Sequence, residues 1–197
     1  MRTPFKTPFK VTQAFGVNAA YYKQFGLPGH EGIDLVPTGS DWTIISPAEG
    51  GVVVRDIDDP KQGGAYGNTC TIWYKQLNIA LQFCHMSKNY LSLDATVGLG
   101  QTIGLMGDTG NTQGAHLHLN RFDVDVNGIR LNKNNGYLGG TDPLPFLQEN
   151  VPSIPSATIQ VNSKVYEGLI TKLDTQEKTI TELKKEFEKF IEDLMLI

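Results

Sequence analysis

The chain holds four histidines in 197 residues, and each stands in a short run suited to chemistry. His30 and Asp34 lie in GHEGIDL, His85 in LQFCHMS, and His116 and His118 in GAHLHL. Imidazole and carboxylate are ligands for a borderline metal such as zinc. A catalytic zinc takes about three of them and leaves one position for water. Three residues separate His30 from Asp34, a spacing that would put both on one face of a helix. Pro28, Gly29 and Gly32 oppose a helix there, so the pair is expected in a loop entering a strand. His116 and His118 are two apart, which on a strand turns both to one face and Leu117 into the core. Alone, the His30–Asp34 spacing is a weak signal and the His116–His118 spacing a moderate one. A chain that spends its whole stock of imidazole this way points to a metal site.

The elements that must hold these groups read as an antiparallel β protein. Short apolar runs recur between turn signals: VTQAFG, TIIS, GVVVRDI, NTCTIWY, IALQFC, QTIGLMG and HLHLNRFDVDV. Gly98, Gly100, Gly104, Gly107, Gly110 and Gly114 crowd the approach to the His116–His118 strand, where they permit tight turns and let an extended peptide come near. The β-rich part is expected to span residues 1–150, with VPSIPS at 151–156 as a linker. From residue 157 to 197 the texture is helical, with one glycine and no proline. Tyr166, Leu173, Ile180, Phe187 and Leu194 form one row of a heptad seam. Leu169, Gln176, Leu183, Phe190 and Ile197 form the other, so nine of the ten positions are apolar. This predicts a C-terminal coiled coil, with three strands favoured over two. One amphipathic helix folded back on the β domain is the competing reading.

Composition excludes several classes. Net charge is −4, without the basic face a nucleic-acid binder needs. The longest apolar runs are four or five residues, too short for a helical membrane span. MRTPFKTPFK lacks the apolar stretch of a secretory signal. A removed signal, another route out of the producing cell, and no export all remain open. Cys70 and Cys84 fall on consecutive strands. A hairpin centred near Leu77 would set Cys70 opposite His85 and Cys84 opposite Thr71, turning the sulfurs to opposite faces and against a bridge.

The order GHEGIDL, SPAEGGVVV, AYGNTCTIWY, FCHMS, VGLGQTIGLMGDTGNTQGAHLHL resembles the M23 peptidases, the lysostaphin and LytM-like zinc endopeptidases of peptidoglycan. The resemblance runs from about Val11 to Val126. It implies a mainly β, antiparallel LytM/M23-type domain of the duplicated-hybrid-motif kind. It also implies zinc held by His30, Asp34 and His118, with His85 and His116 catalytic. Asn120 stands where the family commonly has glutamate, which puts the orientation of a ligand in doubt. Tyr21 and Tyr22 lie upstream of the first ligand, as a transition-state tyrosine does in some members, but the spacing does not match. Asp108 reads as a turn-former and Glu31 as exposed.

Two functions follow from different classes. One is a zinc metalloendopeptidase that hydrolyses stem-peptide cross-links or bridges of bacterial peptidoglycan. Without a signal it would be a phage lysin, riding in the virion or released at lysis. The other is a non-catalytic LytM-like binding, activator or virion structural module, a type that commonly lacks one or more ligands. The expected partners are peptidoglycan peptides and, through the tail, further copies of the chain. Light scattering tests the tail: the full chain is expected to be a trimer, and a chain ending near Asn150 a monomer. A monomeric full chain at micromolar concentration would refute the coiled coil.

Overall fold

The computed structural model describes residues 2–148. The expected linker and coiled coil lie outside them. Eleven strands are described: β1 (Phe9–Gln13), β2 (Ile33–Pro37), β3 (Thr43–Ile45), β4 (Gly51–Ile57), β5 (Asn68–Tyr74), β6 (Ile79–Met86), β7 (Lys88–Asn89), β8 (Thr96–Val97), β9 (Thr102–Leu105), β10 (Leu117–Asp123) and β11 (Gly140–Thr141). They form two antiparallel sheets. The larger runs β1-β2-β10-β6-β5-β4-β8, with β11 also on β10, and the smaller runs β3-β9-β7.

Strand alternation sorts the side chains of the large sheet. Ile33, Leu35, Ile72, Leu81, Phe83, Leu117 and Leu119 are buried in the main core, with Ile44, Ile103 and Met106 from the smaller sheet and its surroundings. On the opposite face of the central strands stand Asp34, Gln82, Cys84, His118 and Asn120. Register places His118 directly across from both Asp34 on β2 and Cys84 on β6. The metal-ligand types therefore sit on adjacent strands, at the same level, on one face.

One irregularity adds a further group to that face. Asn68 pairs with Met86 and Cys70 with Phe83, so Cys84 and His85 together oppose the single residue Thr69. This is a β-bulge, a device that re-aims a side chain. His85 takes a left-handed φ of 60° in it. Such a conformation is strained for a residue with a Cβ and is met at functional sites. The register of the turn also corrects the expected hairpin. Cys70 faces Phe83 instead of His85, because Lys75–Leu77 form a 3-10 turn and Tyr74 pairs with Ile79. Both cysteines are free and buried, on opposite faces as expected.

A close approach fixes β2 against β10. A Cβ on Gly32 would lie 2.6 Å from Asn120 Oδ1, 2.7 Å from the Leu119 carbonyl oxygen and 2.9 Å from His118 Cε1. The glycine thus lets the loop carrying His30 sit directly on the strand carrying His118. Gly32→Ala is expected to lower unfolding free energy by about 1–3 kcal/mol, the usual effect of overpacking. Chemical denaturation measures it, and unchanged stability would contradict this packing account.

Candidate metal centre

His30 sits in the turn before β2, Asp34 is the second residue of that strand, and His118 is the second of β10. Their ligand atoms converge. His30 Nε2 and His118 Nδ1 are 2.9 Å apart, His118 Nδ1 and Asp34 Oδ1 3.0 Å, and His30 Nε2 and Asp34 Oδ1 3.3 Å. Zinc bonds of 2.0–2.1 Å at tetrahedral angles would separate ligand atoms by about 3.3 Å. The triangle matches one face of such a shell. His30, Asp34 and His118 are the one cluster among the described residues that could hold an ion.

The outer nitrogens show that the inner ones are free to bind. His30 Nδ1 donates to the Ala14 carbonyl at 3.2 Å, and His118 Nε2 donates to Asn120 Oδ1 at 3.1 Å. The Asn120 amide is oriented by its own donation to Gln82 Oε1 at 3.2 Å. A carbonyl oxygen only accepts, so each outer nitrogen carries a proton, and each inner nitrogen offers a lone pair to a metal once any proton it shares with Asp34 has left. Two lone pairs and a carboxylate oxygen then face one another. Only a cation satisfies all three, so the donor set fits zinc.

Protons compete for the same place. Burial works to raise the Asp34 carboxyl, but hydrogen bonds from His118 and His30 outweigh it and hold the group well below the usual carboxylate range. A metal would exert the same pull while displacing protons from the rings.

His85 and His116 flank this triangle. His116 Nε2 is 3.5 Å from Asp34 Oδ1, and its Nδ1 donates to the Gly114 carbonyl at 2.8 Å. His85 Nδ1 donates to the Thr109 carbonyl at 2.8 Å, and its ring centroid is 4.9 Å from that of His116 and 5.7 Å from that of His118. Both rings therefore present an Nε2 lone pair. Burial, and secondarily the charge of His118, lower His85 to about 4. It is a neutral acceptor at physiological pH.

All five residues expected from the sequence are brought together. Asp108 is confirmed as a turn-former, accepting from the Thr112 hydroxyl and, at 3.3 Å, from the Gly114 backbone N–H. Glu31 is corrected: it is buried at 7 % exposure, and its Oε1 accepts from the Tyr66 hydroxyl at 2.7 Å. The loop turns it under His118 instead of outward. Tyr22, unassigned by spacing, stacks on His30 at 5.2 Å, and its hydroxyl oxygen accepts from Gln13 Nε2 at 2.8 Å. Burial, and then the Asp34 and Glu31 charges, raise its phenol, so it stays a donor. Tyr66 and Asn111 also border the site; both lie in runs that carry the family resemblance, which assigned them no role.

Two hollows open onto the triad. A polar cleft of about 580 Å3 runs along Gln13, Tyr22, Asp34, His116 and the Asn111–Ala115 loop. An apolar one of about 220 Å3 lies between Tyr21, Tyr22, Phe25 and Tyr66, with His85 and His118 in its wall.

Comparison with known proteins was made against this geometry. The family model described as Peptidase family M23 matches residues 28–132. An uncharacterized metalloprotease of Haemophilus influenzae is 28 % identical over 141 residues, covering 71 % of this chain and 28 % of its own length. A zinc-containing peptidase from Vibrio cholerae has a similar fold, with a TM-score of 0.54 at 22 % identity over 77 % of this chain and 40 % of that one. So does the antimicrobial peptidase lysostaphin from Staphylococcus simulans, with a TM-score of 0.52 at 21 % identity over 77 % of this chain and 56 % of that one. The chain thus spans less than half of the first two proteins.

The depressed His85 predicts a pH window. The unfolded chain takes up this proton near pH 6.5, the fold only near pH 4. The stability tied to neutral His85 is therefore complete above about pH 6.5 and drains away as pH falls toward 4. NMR titration is expected to find His85 uncharged at pH 5.5. A midpoint of 6 or above would refute the buried, neutral assignment.

Proposed function

The chain belongs to peptidase family M23, and from that we propose that it is a zinc metalloendopeptidase cutting peptide bonds of bacterial peptidoglycan, in stem-peptide cross-links or bridges. The observation that carries this reading is the triangle of converging ligand atoms, with two further imidazoles beside it.

His30 Nε2, His118 Nδ1 and Asp34 Oδ1 would hold the metal. When bound, zinc supplies Lewis acidity toward a carbonyl oxygen and a water acidified to near neutrality. The protein supplies the rest. His116 and His85 each present an Nε2 with its lone pair free, because Gly114 and Thr109 fix the other nitrogen. One such nitrogen can take the proton of the attacking water and deliver it to the amine that leaves. The other, once protonated, or the Tyr22 hydroxyl, can donate to the oxygen on which negative charge develops. The polar cleft gives an extended peptide a bed beside the glycine-rich loop, and the apolar hollow accepts a side chain next to the scissile bond.

Wall peptides are the substrate class that the family resemblance implies, and clustering through the tail would raise the effective concentration of sites on such a polymer. A binding-only module would have no use for the full set of five groups. The site is complete, which favours catalysis.

Ligands and catalytic groups should separate on mutation. His30→Ala, Asp34→Ala or His118→Ala is expected to lose most bound zinc and nearly all hydrolysis. His85→Ala and His116→Ala are expected to keep zinc and lose about 10²–10⁴-fold in rate. Zinc content by mass spectrometry and digestion of purified walls decide it. Zinc lost from His116→Ala but kept by His118→Ala would reverse the pair.

A further inference from the structure

The outer nitrogen of His118 has two neighbours of different charge. Asn120 Oδ1 accepts its proton at 3.1 Å. Glu31 Oε1 lies 3.9 Å from the same nitrogen, too far for a hydrogen bond but close for a charge. The acid is held there. The Tyr66 hydroxyl donates to Oε1 at 2.7 Å, the Tyr66 ring lies 5.7 Å from the His118 ring, and Glu31 is 7 % exposed. Its second oxygen, Oε2, is buried without a hydrogen-bond partner. Burying a carboxylate that incompletely bonded is costly, and nothing in the metal triangle itself requires it.

A metal-bound imidazole draws basicity from an anion behind it, as in carboxylate–histidine–zinc arrangements. At His118 the hydrogen bond goes to a neutral amide, whose own partner, Gln82, is also neutral. Neither supplies charge. We propose that His118 is supported by a split arrangement, in which Asn120 fixes the ring and Glu31, clamped by Tyr66, supplies the negative charge. Glu31 is then a positioning residue for the metal site. Low-dielectric surroundings strengthen its effect, since His118 is 4 % exposed and Asn120 1 %. A carboxylate at 3.9 Å polarises the N–H of His118 without competing with zinc, because it lies behind the ring and not beside Nδ1. The inference rests on the zinc reading above.

The test is zinc affinity of the full chain, by competition with a chelator of known strength. Glu31→Gln keeps the shape and the acceptor for Tyr66 while removing the charge. It is expected to weaken zinc binding about 10–100-fold. Asn120→Asp in the Glu31→Gln background returns a carboxylate to the same nitrogen and is expected to recover most of the loss. Asn120→Asp alone should help less, since two buried carboxylates would then crowd one ring. Glu31→Gln with affinity within twofold of the parent chain overturns the inference, as does a loss that Asn120→Asp does not rescue. If Glu31→Gln fails to fold, Tyr66→Phe removes only the clamp. A several-fold weaker affinity supports the proposal and an unchanged one overturns it. A parent chain that takes up no zinc would instead overturn the metal reading, and this inference with it.

Discussion

Three electron-rich atoms held 2.9–3.3 Å apart, where protons and a metal compete for the space between them, form the constraint on which the rest depends. Such a cluster repels itself unless protons or a cation enter. The fold keeps it in place by drawing its members from two hydrogen-bonded strands. Asp34 and His118 are cross-strand partners, and His30 is set on them by a loop that only Gly32 lets come close. The core on the other face, with Leu35 and Leu117 paired at the adjacent position, locks the register. A one-residue slip of either strand would send its own candidate ligand, Asp34 or His118, into the core. Hydrophobic packing on one side of the sheet thus enforces an unfavourable convergence on the other.

His116 and His85 show a second use of the same sheet. His116 stands just before β10 and forms an isolated bridge with Gly107, where the strand has not yet gained its regular partners. His85 is delivered by the bulge, at the cost of a left-handed backbone. Regular strands would place at most alternate residues on the site face. Only the bulge at His85 adds a group that regular pairing could not, since His116 shares the face of His118 by alternation.

Much of this was legible in the sequence, for identifiable reasons. The HxH spacing gave one strand face, and Gly29, Gly32 and Pro28 excluded a helix around His30, because both follow from local geometry. The face of His118, shared with Asp34, needed only period-two alternation. The bulge at His85 was not legible, since it depends on a mismatch between β5 and β6 that neither strand shows alone. Glu31 read as exposed because the family pattern assigns the acid-base work to histidine and leaves it no role. Its burial comes from Tyr66, which lies 35 residues away in sequence. Tyr22 was marked only by its place upstream of His30 and Tyr66 by nothing of its own, because an aromatic residue reads equally as core, groove or site until its neighbours are known.

The tautomers follow from where each ring sits in the backbone network. His30, His85 and His116 lie in a loop, a bulge and a strand approach, and each gives its Nδ1 proton to a backbone carbonyl: Ala14, Thr109 and Gly114. Each therefore turns Nε2 inward. His118 lies within β10, paired on both sides, where backbone carbonyls are committed to the ladders. Its outer proton needs a side-chain acceptor, and the one available on the same strand face is two residues on, at Asn120. That is why His118 alone turns Nδ1 inward, and why its surroundings hold the buried polar row Gln82, Asn120 and Glu31. A central strand is the most rigid place to mount a ligand. The same position denies the ligand a backbone partner, so the side chains behind it must supply both its hydrogen bond and its charge.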